Sequence, residues 1–183
     1  MTPEEVGYAL DMGQQALFKH YREHPNEDAL LPFTKETTLT TDSTGFVAVP
    51  SDYAHILDIY GVVNGEIVTY EPILHKEVGD ALRSALFPIA DYPRYVRDSA
   101  GLQFYPRAVH TVTLSYFSKP TTPVIGYTTS GNAISYNSGT STQLVFKDNY
   151  WMEVILKALS YLGVNLGAPE VFALSQQMDH AEQ

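Results

Sequence analysis

Apolar residues recur at steps of three and four near the start of the chain. Val6, Ala9, Leu10, Gly13, Leu17 and Phe18 fall on one helical face, leaving Asp11, Gln14, Gln15 and Arg22 for the other. Both ends carry the matching signals: Thr2 as N-cap, Pro3 at the first helical position, Glu5 three residues after the cap, and Pro25 as a stop. A long opening helix from Thr2 to His24 with one packing face is expected. From Asn26 to Gly45 the periodicity dissolves into a Thr-rich run with turn formers, read as an extended connector with at most a short strand around Thr37 to Thr41.

Further along, the period changes to two. Phe46 to Val49 reads as a strand, and Pro50-Ser51-Asp52 as the start of a turn or short helix around Tyr53 and Ala54. Residues 56–63 and 66–70 read as two strands joined through Asn64-Gly65, a pair that tolerates the positive φ of a type I′ hairpin turn. His75 to Phe87 is a short amphipathic helix with Val78, Leu82, Ala85 and Leu86 on one side, ended by Pro88. Arg94 to Arg97 and Leu102 to Tyr105 flank a turn at Asp98 to Gly101. Val109 to Phe117 alternates, with His110, Val112, Leu114 and Tyr116 on one face. Beyond Pro120 and Pro123, residues 124–142 are rich in Gly, Ser, Thr and Asn with isolated tyrosines, either a long hairpin or a mobile loop. Asp148 or Asn149 caps a helix from Tyr150 to Leu162, striped by Trp151, Val154, Ile155, Ala158, Leu159 and Leu162 and stopped by Gly163. Trp151 and this stripe read as core rather than as a ligand cage. Pro169 begins a further helix to about His180.

The order of helix, strands, helix, strands and helices has no internal repeat and no biased linker. It predicts a single α+β domain over residues 1–183. In it the long N-terminal helix and the C-terminal helices form a small bundle, accompanied by antiparallel hairpins and a small sheet.

Composition narrows what such a domain can do. The chain has 183 residues and no cysteine, which removes disulfide frameworks, thiolate metal sites and cysteine nucleophiles. A net charge of −10 opposes the counterion release that drives nucleic-acid affinity, and no basic block offsets it. The opening MTPEEVGYALD is acidic where a secretory signal is basic, and the apolar stretches are too short to span a bilayer, so a soluble protein with no membrane partner is expected. Thirteen tyrosines enrich the chain in a residue favoured at wet interfaces, which leans towards an assembly component.

One catalytic-looking string stands out. His20-Tyr21-Arg22-Glu23-His24 fits H-x-x-E-H, in which two histidines one turn apart hold zinc and the glutamate serves as base, so a zinc-dependent hydrolase is the alternative function. That chemistry requires a buried cleft and a third ligand, whereas Pro25 places the pair in a terminal turn, where histidines suit the helix C-terminus. His55, His75, His110 and His180 show no metal-like spacing. P-loop, dinucleotide, nucleophile-elbow and EF-hand patterns are all missing from the sequence. Glu4-Glu5 and Glu27-Asp28 read as solvated charges. No catalytic residue, metal ligand or cofactor is therefore assigned.

The candidate binding residues are aromatic. Tyr92, Arg94 and Tyr95 sit in an Asp-Tyr-Pro-Arg-Tyr run that either presents aromatics and an arginine to a partner or pins a loop to the sheet. Tyr127 and Tyr136, isolated in polar surroundings, fit a segment that orders against a neighbour. A small carbohydrate- or peptide-binding module using these tyrosines is a further alternative.

The sequence from about Phe46 to Gly163 resembles the head-to-tail adaptor, or tubular-tail-like, ring proteins of short-tailed bacteriophages, including the neck ring proteins of crAss-like phages. The resemblance rests on Val49-Pro50-Ser51-Asp52-Tyr53 leading into a hairpin, on Tyr92-Pro93-Arg94-Tyr95 followed by Gly101-Leu102-Gln103-Phe104-Tyr105-Pro106, on Leu114 to Pro120, and on the closing apolar helix from Tyr150 to Gly163. The excursion at 124–142 is longer than the usual connection at this point. The resemblance implies a non-enzymatic virion subunit, assembled in the host cytoplasm into a ring of about twelve copies. That ring lies beneath the portal, contacts portal and tail proteins, and lets genomic DNA pass through its channel without specific binding. Ring closure needs two different patches per subunit, and residues 26–45 or 124–142 are natural places for strand addition between neighbours.

Overall fold

The computed structural model describes residues 2–63, 65–84, 91–131 and 133–163. In chain order the regular elements are α1 (Pro3–Glu23), α2 (Glu27–Leu30), β1 (Thr34–Thr40), β2 (Phe46–Val47), β3 (Tyr53–Val63), β4 (Glu66–Thr69), β5 (Glu71–Pro72), α3 (Val78–Arg83), β6 (Arg94–Arg97), β7 (Leu102–Tyr105), β8 (Thr111–Ser118), β9 (Tyr127–Ser130), β10 (Ala133–Tyr136) and α4 (Trp151–Tyr161). The class is α+β, with a long N-terminal helix and several antiparallel sheets, as the hydrophobic pattern implies. The chain separates into two compact units: residues 1–32 with 120–183, and residues 33–119. The expected helix after Pro169 and the expected end of the middle helix at Ala85, Leu86 and Pro88 lie outside the described residues.

In the helical unit, α1 opens with a complete capping box. Thr2 Oγ1 accepts from the Glu5 amide at 3.2 Å while Glu5 Oε2 accepts from the Thr2 amide at 2.7 Å. Gly13 sets the approach of α1 to α4, because a Cβ there would lie 2.6 Å from the Val154 carbonyl oxygen and 3.0 Å from the Ala158 amide nitrogen. Val154 and Ala158 are the residues α4 buries, so small side chains on both helices bring the backbones together. Two expectations fail here. Asp11 and Gln14, assigned to the solvent face of α1, are buried. Gln14 is fully enclosed because both ends of its amide are used: Nε2 donates to the Thr121 carbonyl at 3.0 Å, and Oε1 accepts from the Val145 amide at 2.8 Å. Nor do Asp148 and Asn149 cap α4 with their side chains. They form a 3-10 turn with Tyr150 that leads into it, and Asp28 of α2 accepts from the Lys147 ammonium and, at 3.2 Å, from the Tyr150 hydroxyl. Lys147 chiefly holds the Asp28 carboxyl below its ordinary range. Tyr21 OH donates to Glu153 Oε2 at 2.8 Å, and burial followed by that carboxylate pushes the phenol up to about 12.

The β unit packs two four-stranded sheets, in the orders β1-β8-β3-β4 and β2-β7-β6-β5. β8 is central in the first. Val112, Leu114, Tyr116 and Ser118 point into the core, and its partners are β1 (Thr34↔Phe117 through Thr40↔Thr111) and β3. Tyr95, Leu102 and Phe104 of the second sheet meet Ile59, Val112 and Leu114 of the first in one cluster. The hairpin expected between residues 56–63 and 66–70 is present, with Val63 opposite Glu66 and Gly65 at φ +88. The Arg94 to Tyr105 hairpin closes with Arg97 opposite Leu102. The stretch read as a connector instead holds α2 and all of β1, a full-length edge strand. β3 begins at Tyr53, directly after a turn at Ser51-Asp52 in which the Tyr53 amide donates to the Pro50 carbonyl at 3.0 Å. Lys35 on β1 grips that turn through Asp52 at 2.6 Å, and Tyr116 OH donates to the same carboxylate at 3.1 Å. Lys35 is the main reason the Asp52 carboxyl sits below its ordinary range.

Candidate assembly interface

The segment from Pro120 to Phe146 carries no Asp, Glu, Lys, Arg or His, in a chain whose net charge is −10. Its middle is the β9–β10 hairpin, a two-stranded sheet pairing Tyr127 with Tyr136 and Thr129 with Ile134. Alternation therefore puts Tyr127, Thr129, Ile134 and Tyr136 on one face and Thr128, Ser130, Ala133 and Ser135 on the other. Every described residue of both strands is exposed, with Ile134 at 62% and Tyr136 at 67%.

The root of the hairpin is held tightly. Val124 and Thr142 form a bridge, the Asn137 amide donates to the Gly126 carbonyl at 2.9 Å, and Ser141 Oγ accepts from the Gly126 amide at 2.9 Å. Gly126 leaves no room for a side chain, since a Cβ would lie 2.1 Å from Thr140 Oγ1. Tyr127 OH donates to the Glu4 carboxylate, and that bond is the main reason the Glu4 carboxyl is lowered. Beside the root runs a groove of about 570 Å³ lined by Pro3, Tyr8, Pro123, Ile125 and Tyr127. Gln14, through Thr121 and Val145, ties both ends of the uncharged segment to α1. Sequence reasoning singled out the two tyrosines but missed this brace; the signal available was the absence of charge across the whole segment.

A family model, SU10 adaptor protein, matches residues 2–162. The chain belongs to the SU10 adaptor protein family. It is thus a phage adaptor, a member of a structural phage protein family, and the resemblance to phage head-to-tail adaptors is correct. No curated protein matches the chain.

In this SU10 adaptor the five candidate residues do not form one patch. Tyr127 and Tyr136 are brought side by side. Tyr92 is exposed at 47%, whereas Tyr95, three residues on, is 7% exposed in the core with its ring centroid 6.0 Å from that of Phe104. Burial, then the neighbouring Tyr53 and Asp58, raises the Tyr95 phenol. Arg94 between them is half-buried, its Nη2 3.7 Å from Glu71 Oε2.

The H-x-x-E-H turn closes α1. The rings of His20 and His24 stack at 4.9 Å, and Glu23 lies 3.9 Å from Lys19 with both side chains exposed. Among the described residues no group of three His, Asp or Glu side chains converges on a point that a metal ion would need. Among them too, no helix is long and apolar enough to cross a membrane.

Proposed function

We propose that this SU10 adaptor is a non-enzymatic ring subunit of the phage neck. In this reading about twelve copies close a ring beneath the portal by heterologous contacts, contact portal and tail proteins, and surround the channel through which genomic DNA passes. The two compact units act together as one adaptor module. The family match over residues 2–162 carries the reading. The exposed, uncharged β9–β10 hairpin supports it, because acidic subunits meet with least like-charge repulsion where neither contributes charge. The same net charge of −10 favours passage of DNA over its retention. The subunit would be built in the host cytoplasm and function in the virion.

Light scattering and negative-stain images of the purified chain, alone and mixed with its portal, test this. Closed rings in either condition are expected. A chain that stays monomeric in both conditions overturns it.

A further inference from the structure

α4 carries more apolar surface than α1 covers. Val154 and Ala158, the residues α4 buries, mark the line of contact with Gly13 of α1. Winding at about 100° per residue places Glu153, Lys157 and Ser160 on one flank of that line and Trp151, Met152, Ile155 and Leu159 on the other. The first flank is polar and the second is wholly apolar. On the apolar flank Ile155 is 38% exposed, and the other three residues are half-buried. Among the described elements, α1 is the helix that packs along α4. At its Trp151 end the flank meets an apolar cavity of about 220 Å³ walled also by Leu10, Ile125 and Leu144.

The helix then stops sharply. Gly163 lies in the left-handed region at φ +76, and its amide donates to the Ser160 carbonyl at 3.1 Å. Residues 164–183 follow, beyond the family match, which ends at residue 162.

We propose that residues 169–180 of the same chain cover this flank as a helix antiparallel to α4. The inference goes beyond the ring reading and does not rest on it. The segment has the pattern the flank requires: Pro169 suits a first helical turn, and Val171, Leu174 and Met178 recur at steps of three and four with Phe172 beside them. Residues 171–178 carry no charge, so the two apolar surfaces meet without a buried ion. Lengths agree as well, at about 18 Å for residues 169–180 as a helix and about 17 Å for α4. The connection at 164–168 falls within the usual range of about 2–8 residues between packed helices. Such a tether selects the chain's own segment over a second copy or a portal segment. It presents that segment to α4 at an effective concentration on the order of millimolar, which a free partner of similar composition does not reach. Running back along α4, Met178 arrives near Trp151, where an unbranched side chain can fill the irregular space of the cavity.

The chain supplies its own reporter. Trp151 is the single tryptophan, and its indole is fixed by a bond from Nε1 to the Phe146 carbonyl at 2.7 Å. Leu174→Asp in the full chain should shift its emission to the red, increase acrylamide quenching and lower the thermal midpoint by about 4 °C or more. Gln176→Asp, which adds the same charge on the opposite side of the segment, should change none of these. Because the chain has no cysteine, Ile155→Cys with Met178→Cys should oxidise to a disulfide within one dilute chain. Ser160→Cys with Met178→Cys should not, since Ser160 lies on the polar flank. Equal responses to the two aspartate variants, or failure of the 155–178 pair to link, overturns the assignment. Linkage only between chains, seen on mixing the single variants, gives the flank to a second copy and overturns it too. So does a blue shift of the parent chain that appears only when portal is added. None of these outcomes decides whether rings form, so the ring reading stands or falls separately.

Discussion

Two hairpins of four-residue strands in this adaptor share a backbone plan and differ in almost everything else. In β6–β7, Tyr95, Val96, Leu102, Phe104 and Tyr105 are buried, while in β9–β10 every described strand residue is exposed. The first offsets the entropy of ordering its strands by apolar burial. The second has no such gain. An isolated two-stranded hairpin is marginal in water, so β9–β10 keeps its shape through its root: the Val124–Thr142 bridge, the Tyr127–Glu4 bond, and Gln14 behind both. A chain that maintains an exposed, uncharged apolar face by tethering it is presenting that face to something. In the function proposed above, the core hairpin serves folding and the exposed one assembly.

Substitution at the most buried position separates the two most strongly. Phe104, fully buried with its ring 5.2 Å from that of Tyr70, should cost about 3–5 kcal/mol of unfolding free energy as Phe104→Ala, whereas Tyr136→Ala should cost less than about 0.5 kcal/mol and reduce assembly instead. Denaturant titration of both variants checks this, and equal losses would erase the distinction.

The tether comes next. Gln14→Leu keeps the volume but strands the Thr121 carbonyl and the Val145 amide, so about 2–3 kcal/mol should be lost, together with amide-exchange protection around residues 121–145. Retained protection in that segment would show that Gln14 is not its anchor. Gln14 also shows where sequence reading stops. Periodicity placed it with Asp11 on the solvent face because polarity was all it could see; its two partners lie 107 and 131 residues away. The capping box of α1, the β3–β4 hairpin with its positive-φ Gly65 and the alternation of β8 were legible because each is a local pattern. β1 was read only in part, as at most a short strand around Thr37 to Thr41, for the opposite reason. As an edge strand with three successive exposed residues at its start, Thr34–Thr40 shows almost no alternation, and its pairing is specified by β8. Of the candidate site, Tyr127 and Tyr136 stood out by being aromatic among polar neighbours. The burial of Tyr95 depends on how two sheets meet.

Removing the exposed hairpin altogether should affect stability little. Gly126 and Thr140 already touch, so excision of residues 127–139 joins ends that are in contact. The expected outcome is a thermal midpoint within a few degrees of the parent and no rings by negative stain. A large fall in midpoint would mean that the hairpin contributes to folding after all.

The smallest effect is a pH dependence confined to the same hairpin. Glu4 is held below its ordinary value of 4.5, first by the Tyr127 hydroxyl. A carboxyl depressed in the folded state binds its proton less readily than in the opened state. The tether is therefore at full strength above the ordinary value and weakens as pH falls below 4.5 through the lowered one. Limited proteolysis at residues 127–136 should speed up across that window with no change in the global midpoint beyond that of other acidic groups, and Glu4→Gln should flatten the profile at the faster rate. The Asp52 carboxyl, lowered by Lys35 within the β unit, titrates in a similar acid range but belongs to the turn before β3. Lys35→Met should thus leave the hairpin's proteolysis profile as it was. If it shifts that profile as much as Glu4→Gln does, the tether is not local and the separation between the two hairpins fails at its finest point.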